Sequence, residues 1–139
     1  MWTAEQLRAI NEDGNLLVSA AAGAGKTAVM TERIARIIAS GTDVSEILVV
    51  TFTNPAAAEM KQRIERRLSE LAESTDDTKL KMHLHDSAIN ISTANISTIH
   101  SFCGNVLRRN CHIVGLDPAF RTADAAEAAL LRLKALDEV

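Results

Sequence analysis

The stretch Leu16-Leu17-Val18-Ser19-Ala20-Ala21-Ala22-Gly23-Ala24-Gly25-Lys26-Thr27 constrains this chain more than any other. An apolar run leads into a Gly/Ala turn, and Lys-Thr then opens a segment of helical periodicity. Strand, loop and helix in that order are the layout of a phosphate-binding loop. Gly23 and Gly25 permit a tight turn that sets bare backbone N–H groups against phosphate oxygens. A helix beginning near Gly25 adds the partial positive charge of its N-terminus. Lys26 is placed to reach the outer phosphates as a point charge, and Thr27 to offer its hydroxyl to Mg2+. Ala20 stands where the G-x-x-x-x-G-K-[ST] pattern begins with glycine, a departure that a negative φ accommodates. A plain turn between a strand and a helix is the bland alternative, and the full order of elements argues against it.

Upstream, Thr3 and Gln6 have the spacing of a capping box at the head of a helix over 3–10. Taken alone, that accounts for Gln6. A carboxamide also matches the donor–acceptor edge of adenine, and the loop that follows favours this second use.

Downstream, Ile34, Ala35, Ile37 and Ile38 recur at helical spacing, and Ser40-Gly41-Thr42 ends that helix. Ile47-Leu48-Val49-Val50 is an unbroken apolar run, as in a parallel strand covered on both faces. Asn54 and Pro55 then open a helix, Asn54 as its cap, with Met60, Ile64, Leu68 and Leu71 on one face. Lys61, Arg63, Arg66 and Arg67 lie among Glu59, Glu65 and Glu70, which reads for the most part as a solvated charged face. A polar loop over 73–78 and a weaker helix over 79–89 follow. His83 and His85 are expected to be solvated rather than metal-bound, because residues two apart on a helix point to different sides. Residues 94–98 alternate as a further strand, 99–112 form a helix, and 123–138 a last amphipathic helix carrying Ala126, Leu130, Leu133 and Leu136. The fold class is therefore α/β, with a parallel sheet built from strands near 16–20, 47–51 and 95–98 and flanked by helices.

Bulk properties bound the function only loosely. A chain of 139 residues with 47% hydrophobic and 24% charged residues is an ordinary globular domain. With aromatics at 3%, the core must be aliphatic. The net charge of −3 announces no global affinity for nucleic acid, although a binding face can be locally basic. Cys103 and Cys111 fit a reduced, cytoplasmic chain. The polar start lacks a secretory pattern, and no apolar run approaches membrane-spanning length.

Four segments in fixed order carry a resemblance. They are Thr3-x-x-Gln6, Ala20-x-x-Gly23-x-Gly25-Lys26-Thr27, Val50-Thr51-Phe52-Thr53-Asn54-x-Ala56-Ala57-Ala58-Glu59-Met60, and Ser97-Thr98-Ile99-His100-Ser101-Phe102-Cys103. Together they resemble the start of the superfamily 1 DNA helicases of the UvrD/RecB type, and within these the AddA-type helicase–nucleases. The resemblance implies a P-loop NTPase that uses ATP and Mg2+. Its nucleotide site comprises Gln6, Ala22, Gly23, Ala24, Gly25, Lys26, Thr27 and Ala28, with Thr27 on the metal. It implies single-stranded DNA contacts at Thr53 and Asn54 (motif Ia) and at Thr98, His100 and Ser101 (motif Ib). Helix N-termini carrying Thr and Asn after a strand are natural seats for backbone phosphates, gripping a strand without reading its sequence. Pro55 departs from relatives that have Lys or a small residue there, and it gives up one N–H and a charge.

By the same resemblance, residues 1–114 correspond to part of a RecA-like helicase domain 1A and 115–139 to the beginning of a helical domain 1B. The implied biology is ATP-dependent unwinding and nuclease action in double-strand break repair and recombination, in the cytoplasm, on single- and double-stranded DNA, with an AddB/RexB-like partner and no membrane. The family's Asp-Glu Walker B pair does not follow any apolar strand here, since Asp137-Glu138 ends an amphipathic helix. The chain thus reads as an amino-terminal piece holding no catalytic residue and inactive alone. The resemblance also implies that the 16–20 strand pairs with strands encoded downstream, so that apolar surface is exposed without them. Two other readings stay open. A stand-alone P-loop phosphotransferase would need a substrate pocket and a second acidic site. A non-enzymatic nucleotide-binding module would bind nucleotide but not DNA.

Overall fold

The computed structural model describes residues 2–21 and 23–137. Ala22, among the expected nucleotide contacts, lies outside the described residues, as does Glu138 at the end of the expected last helix. The chain divides into two compact units between Phe102 and Cys103.

In the first unit, helix α1 (Ala4–Asn11) starts on the expected capping box, with both reciprocal bonds between Thr3 and Gln6 present. Helix α2 (Lys26–Ala39) follows the glycine loop, and Ser40 closes it. After a short 3-10 turn at Val44–Glu46, strand β1 (Leu48–Thr51) leads into the long helix α3 (Asn54–Ser74). Helix α4 (Thr78–Asn90) returns the chain, a 3-10 turn at Ile91–Thr93 redirects it, and β2 (Asn95–Thr98) pairs parallel with β1. The class is α/β, with a two-stranded parallel sheet among the described residues.

α3 forms because its apolar residues recur every three or four positions. Ala57, Met60, Ile64, Leu68 and Ala72 are all buried. They meet Ile34, Ala35 and Ile38 of α2, Val49 of β1, Leu84 and Ala88 of α4, and Ile96 of β2. The core is aliphatic apart from the thioether of Met60. Ile38, Ile64, Leu68 and Leu84 are its largest fully buried side chains, each contributing about 1.5–3 kcal/mol by leaving water.

Several expectations are corrected. Residues 16–20 are not a strand: among the described residues no strand pairs with them, and Leu17 is 95% exposed. A strand is held by its ladder, and β1 and β2 use each other on the described side, so an apolar run alone does not suffice. The parallel crossover therefore joins β1 to β2 through α3 and α4, not 16–20 to β1. β1 is covered on one face only: Val49 is buried, while Leu48 and Val50 remain about half exposed. Apolar surface is thus left open, as the resemblance implied. The cap of α3 is Thr53, whose Oγ1 accepts from the Ala56 N–H at 3.3 Å, and Asn54 is already the first helical residue. α3 runs on to Ser74, shortening the loop that follows. His83 is not solvated: its Nε2 lies 2.8 Å from the carbonyl of Ile38 and so donates to the C-terminal turn of α2.

The second unit continues helix α5 (Ile99–Arg109), shorter than the expected 99–112 because turns occupy the residues from Asn110 to Gly115. Helix α6 (Ala125–Asp137) starts on Asp124, whose carboxylate accepts from the N–H groups of Ala126 and Glu127 at 2.9 Å. None of the described residues of α6 is buried, so its leucines cover no core here. No described helix is long and apolar enough to cross a membrane.

Candidate nucleotide and nucleic-acid site

The loop between residues 20 and 27 is shaped by two glycines. Gly23 and Gly25 have φ of 79° and 80°, the left-handed region that a side chain disfavours. Gly25 has a second reason to lack a side chain, because a Cβ there would lie 3.3 Å from the Gln6 Nε2. Gly25 is the N-cap of α2, and no side chain caps that helix. The N–H groups of its first turn therefore remain available at the positive end of the helix dipole.

Lys26 and Thr27 are the first two residues of α2, and both are at least partly exposed. The Lys26 ammonium folds back over the loop and donates to the carbonyls of Ala20 and Ala21, at 2.7 and 2.8 Å. Thr27 contributes its carbonyl to the Thr31 hydroxyl at 2.9 Å. Gln6 reaches the same loop from α1. Its Oε1 accepts from the Thr3 N–H at 2.9 Å, and its Nε2 donates to the Ala24 carbonyl at 3.3 Å. The carboxamide is thus helix cap and loop tether together. Gln6, Ala20, Ala24 and Lys26 line one cleft with Thr3 and Val18. Ala28, one position further along, faces a neighbouring groove with Trp2, Thr31 and Glu32.

A second cluster forms at the carboxyl ends of the two strands. The parallel register sets Thr51 opposite Thr98. Each strand passes almost directly into a helix, so Thr53-Asn54 and Thr98 to Ser101 stand at the heads of α3 and α5 on the same sheet edge. Thr98 is buried and anchors its helix, its Oγ1 accepting from the Ser101 N–H at 3.3 Å and donating to the Ser101 Oγ at 2.9 Å. His100, Thr53 and Asn54 are exposed. Open α/β sheets bind ligands at this carboxyl end of the strands.

Two features were not among the expected site residues. Phe52 is fully exposed at the tip between β1 and the Thr53 cap. Its position beside Thr53 in a chain so poor in aromatics was the available signal. The other is Glu32 of α2, only 4% exposed, which receives Arg67 of α3 in a two-pronged pair. Arg67 Nε lies 2.6 Å from Oε2 and Nη2 lies 3.1 Å from Oε1. Arg36 adds a third contact at 3.3 Å. The Arg67 guanidinium holds the Glu32 carboxyl below the usual carboxylate range, overcoming the opposing effect of burial. Of the basic residues on α3, Arg63 pairs with Glu59 at the surface as expected, whereas Arg67 and Lys61 are structural, Lys61 donating to the Ser92 carbonyl at 2.8 Å.

A sheet edge with two helix heads, beside a glycine loop opening a third helix, is the arrangement of a nucleotide-dependent α/β protein. Residues 2–138 match the UvrD/REP helicase N-terminal domain, and the chain belongs to that family. It is 48% identical over 140 residues to AddA, the ATP-dependent helicase/nuclease protein of Alkaliphilus metalliredigens. Proteins of the same name in Heliobacterium modesticaldum and Clostridioides difficile are 51% and 44% identical to it. Each comparison covers 99% of this chain but only 12%, 10% and 11% of the respective relative, so the chain spans about a tenth of their length.

Proposed function

We propose that this chain is the amino-terminal, ATP-binding and single-strand-contacting part of an AddA-type ATP-dependent DNA helicase–nuclease acting in double-strand break repair and recombination. In this reading residues 1–114 are part of a RecA-like domain 1A and 115–139 begin a helical domain 1B. The whole protein works in the cytoplasm with an AddB/RexB-like partner. The observation that carries the reading is the convergence of Gln6, Gly25 and Lys26 on one loop at the head of α2, within a chain of this family.

The residues present suit ATP and Mg2+. Open space surrounds Gly23 where a Cβ would be, α2 starts without a side-chain cap, and Lys26 and Thr27 stand accessible at its first turn. In this reading Gly23 to Ala28 hold the triphosphate, Lys26 faces the outer oxygens, and the Thr27 hydroxyl ligates the metal. Mg2+, when bound with ATP, neutralises charge on the β- and γ-phosphates. Gln6 has capacity left for adenine: its oxygen keeps a second lone pair and its nitrogen a second hydrogen.

At the sheet edge, Thr53, Asn54, His100 and Ser101 are the DNA contacts of this reading, with Thr98 positioning Ser101. Phe52 offers an exposed ring on which a base can stack without sequence preference. The test is binding of a fluorescent ATP analogue and of labelled single-stranded DNA. The reading expects the first to depend on Lys26 and the second on the sheet edge. Nucleotide affinity without any DNA affinity, in the full-length protein carrying this segment, would favour a non-enzymatic nucleotide module.

A further inference from the structure

We infer that Glu32 is a positioning residue, and that its two-pronged pair with Arg67 sets how nucleotide at the head of α2 is felt by DNA at the head of α3. This rests on the reading above.

The geometry is specific. Glu32 lies six positions beyond Lys26, roughly 9 Å along α2 at the ordinary helical rise. Arg67 lies thirteen positions beyond Asn54, roughly 20 Å along α3. The pair therefore ties the nucleotide-proximal half of α2 to the far half of α3. A rotation of a few degrees at that tie displaces the head of α3 by on the order of 1–2 Å, given a lever of that length. That head carries Thr53 and Asn54.

Glu32 holds α2 to more than α3. Arg36, which also contacts Glu32, donates to Asn11 Oδ1 at the end of α1. Arg33 donates to the carbonyls of Ala9 and Glu12 at 2.9 and 2.7 Å. The helix that begins with Gln6 at its first turn is thus tied to the same body. Near the clamp, the Thr31 hydroxyl meets the Met60 sulfur at 3.7 Å, so α2 and α3 touch through one apolar-to-polar contact and one charged clamp.

A buried ion pair is a weak source of stability, because well-packed apolar side chains of equal volume do as well. What apolar packing lacks is fixed direction. A guanidinium fork on a carboxylate defines both distance and angle.

The experiment uses the full-length protein carrying this segment. Single-stranded DNA affinity is measured by anisotropy with and without a non-hydrolysable ATP analogue, and the ratio of the two affinities is the coupling. Couplings between sites are commonly about 5–150-fold. In Glu32→Gln the ratio should collapse to within about twofold of unity, while each ligand alone binds nearly as before. Arg67→Lys keeps the charge but loses the fork, and should reduce the ratio partway; it carries the test if Glu32→Gln does not fold. Loss of stability with an unchanged ratio in a folded variant would overturn the inference and leave the function intact. An unsubstituted protein that binds neither ATP analogue nor DNA would instead remove the functional reading, and this inference with it.

Discussion

The Gln6 side chain donates to the Ala24 carbonyl at 3.3 Å while accepting from the Thr3 N–H at 2.9 Å, so one carboxamide joins the start of α1 to the glycine loop. Capping and base recognition are therefore not exclusive roles for this residue. They can be separated by substitution.

Gln6→Glu keeps the acceptor for the Thr3 N–H and loses the donor. It should retain the cap and lose preference for ATP over GTP. Gln6→Ala should lose both, with stability falling by about 0.5–2 kcal/mol, the usual worth of a helix N-terminal cap. Thermal melts and competition binding with the two nucleotides distinguish these outcomes. Unchanged base preference in both variants would leave Gln6 a cap and loop tether only.

Lys26→Ala removes the ammonium that lies over the Ala20 and Ala21 carbonyls. ATP binding should weaken at least about tenfold, the effect of losing roughly 1.4 kcal/mol of phosphate contact. The melting temperature should barely move, because both of those hydrogen bonds lie at the solvent-exposed loop. Titration with a fluorescent ATP analogue reads this directly, and equal affinities would refute the phosphate-loop assignment.

Phe52→Ala should cost folding almost nothing, since the ring is wholly exposed. Its loss should weaken single-stranded DNA binding by about 1–3 kcal/mol, the worth of stacking one base on an aromatic ring. Anisotropy with homopolymer strands is the measurement. No sequence dependence is expected.

The Glu32–Arg67 pair predicts an acid limb. Because the folded-state carboxyl of Glu32 is held below its usual range, its contribution is complete above the ordinary carboxylate value of about 4.3 and is lost as pH falls through the lower folded value. Stability measured by denaturant between pH 7 and pH 3 should fall less steeply in Glu32→Gln. At pH 7 that variant should be less stable by on the order of 3 kcal/mol, the low end for breaking a buried pair, because Arg67 is one-third exposed. A parallel pH profile in both proteins would contradict the assignment.

Local chemistry was legible in the sequence. The Thr3/Gln6 box, the start of α2 at Lys26, the apolar face of α3 and the alternation over 95–98 each depend on neighbours a few residues away, and each formed as read. What failed depends on distant partners. The apolar run over 16–20 has strand composition but no described ladder to join. Val50 looked like a two-sided core residue, yet only one face of β1 is covered. Arg67 looked like its charged neighbours on α3, and only the fold shows that Glu32 waits 35 positions earlier. His83 likewise finds the end of α2, 45 positions away.

The central claim is that this chain cradles nucleotide without completing hydrolysis. Its P-loop reading supplies Lys26 and Thr27, but no strand in the sequence leads into an acidic pair and no facing domain delivers an arginine. An arginine finger alone is worth about 10³–10⁵ in rate. The most direct test is steady-state phosphate release from the purified 139-residue chain, with and without single-stranded DNA, alongside Lys26→Ala as a contamination control. Background release is expected from both proteins, with DNA and without it. DNA-stimulated turnover that vanishes in Lys26→Ala would show that the chain holds a complete catalytic site, and would contradict the claim.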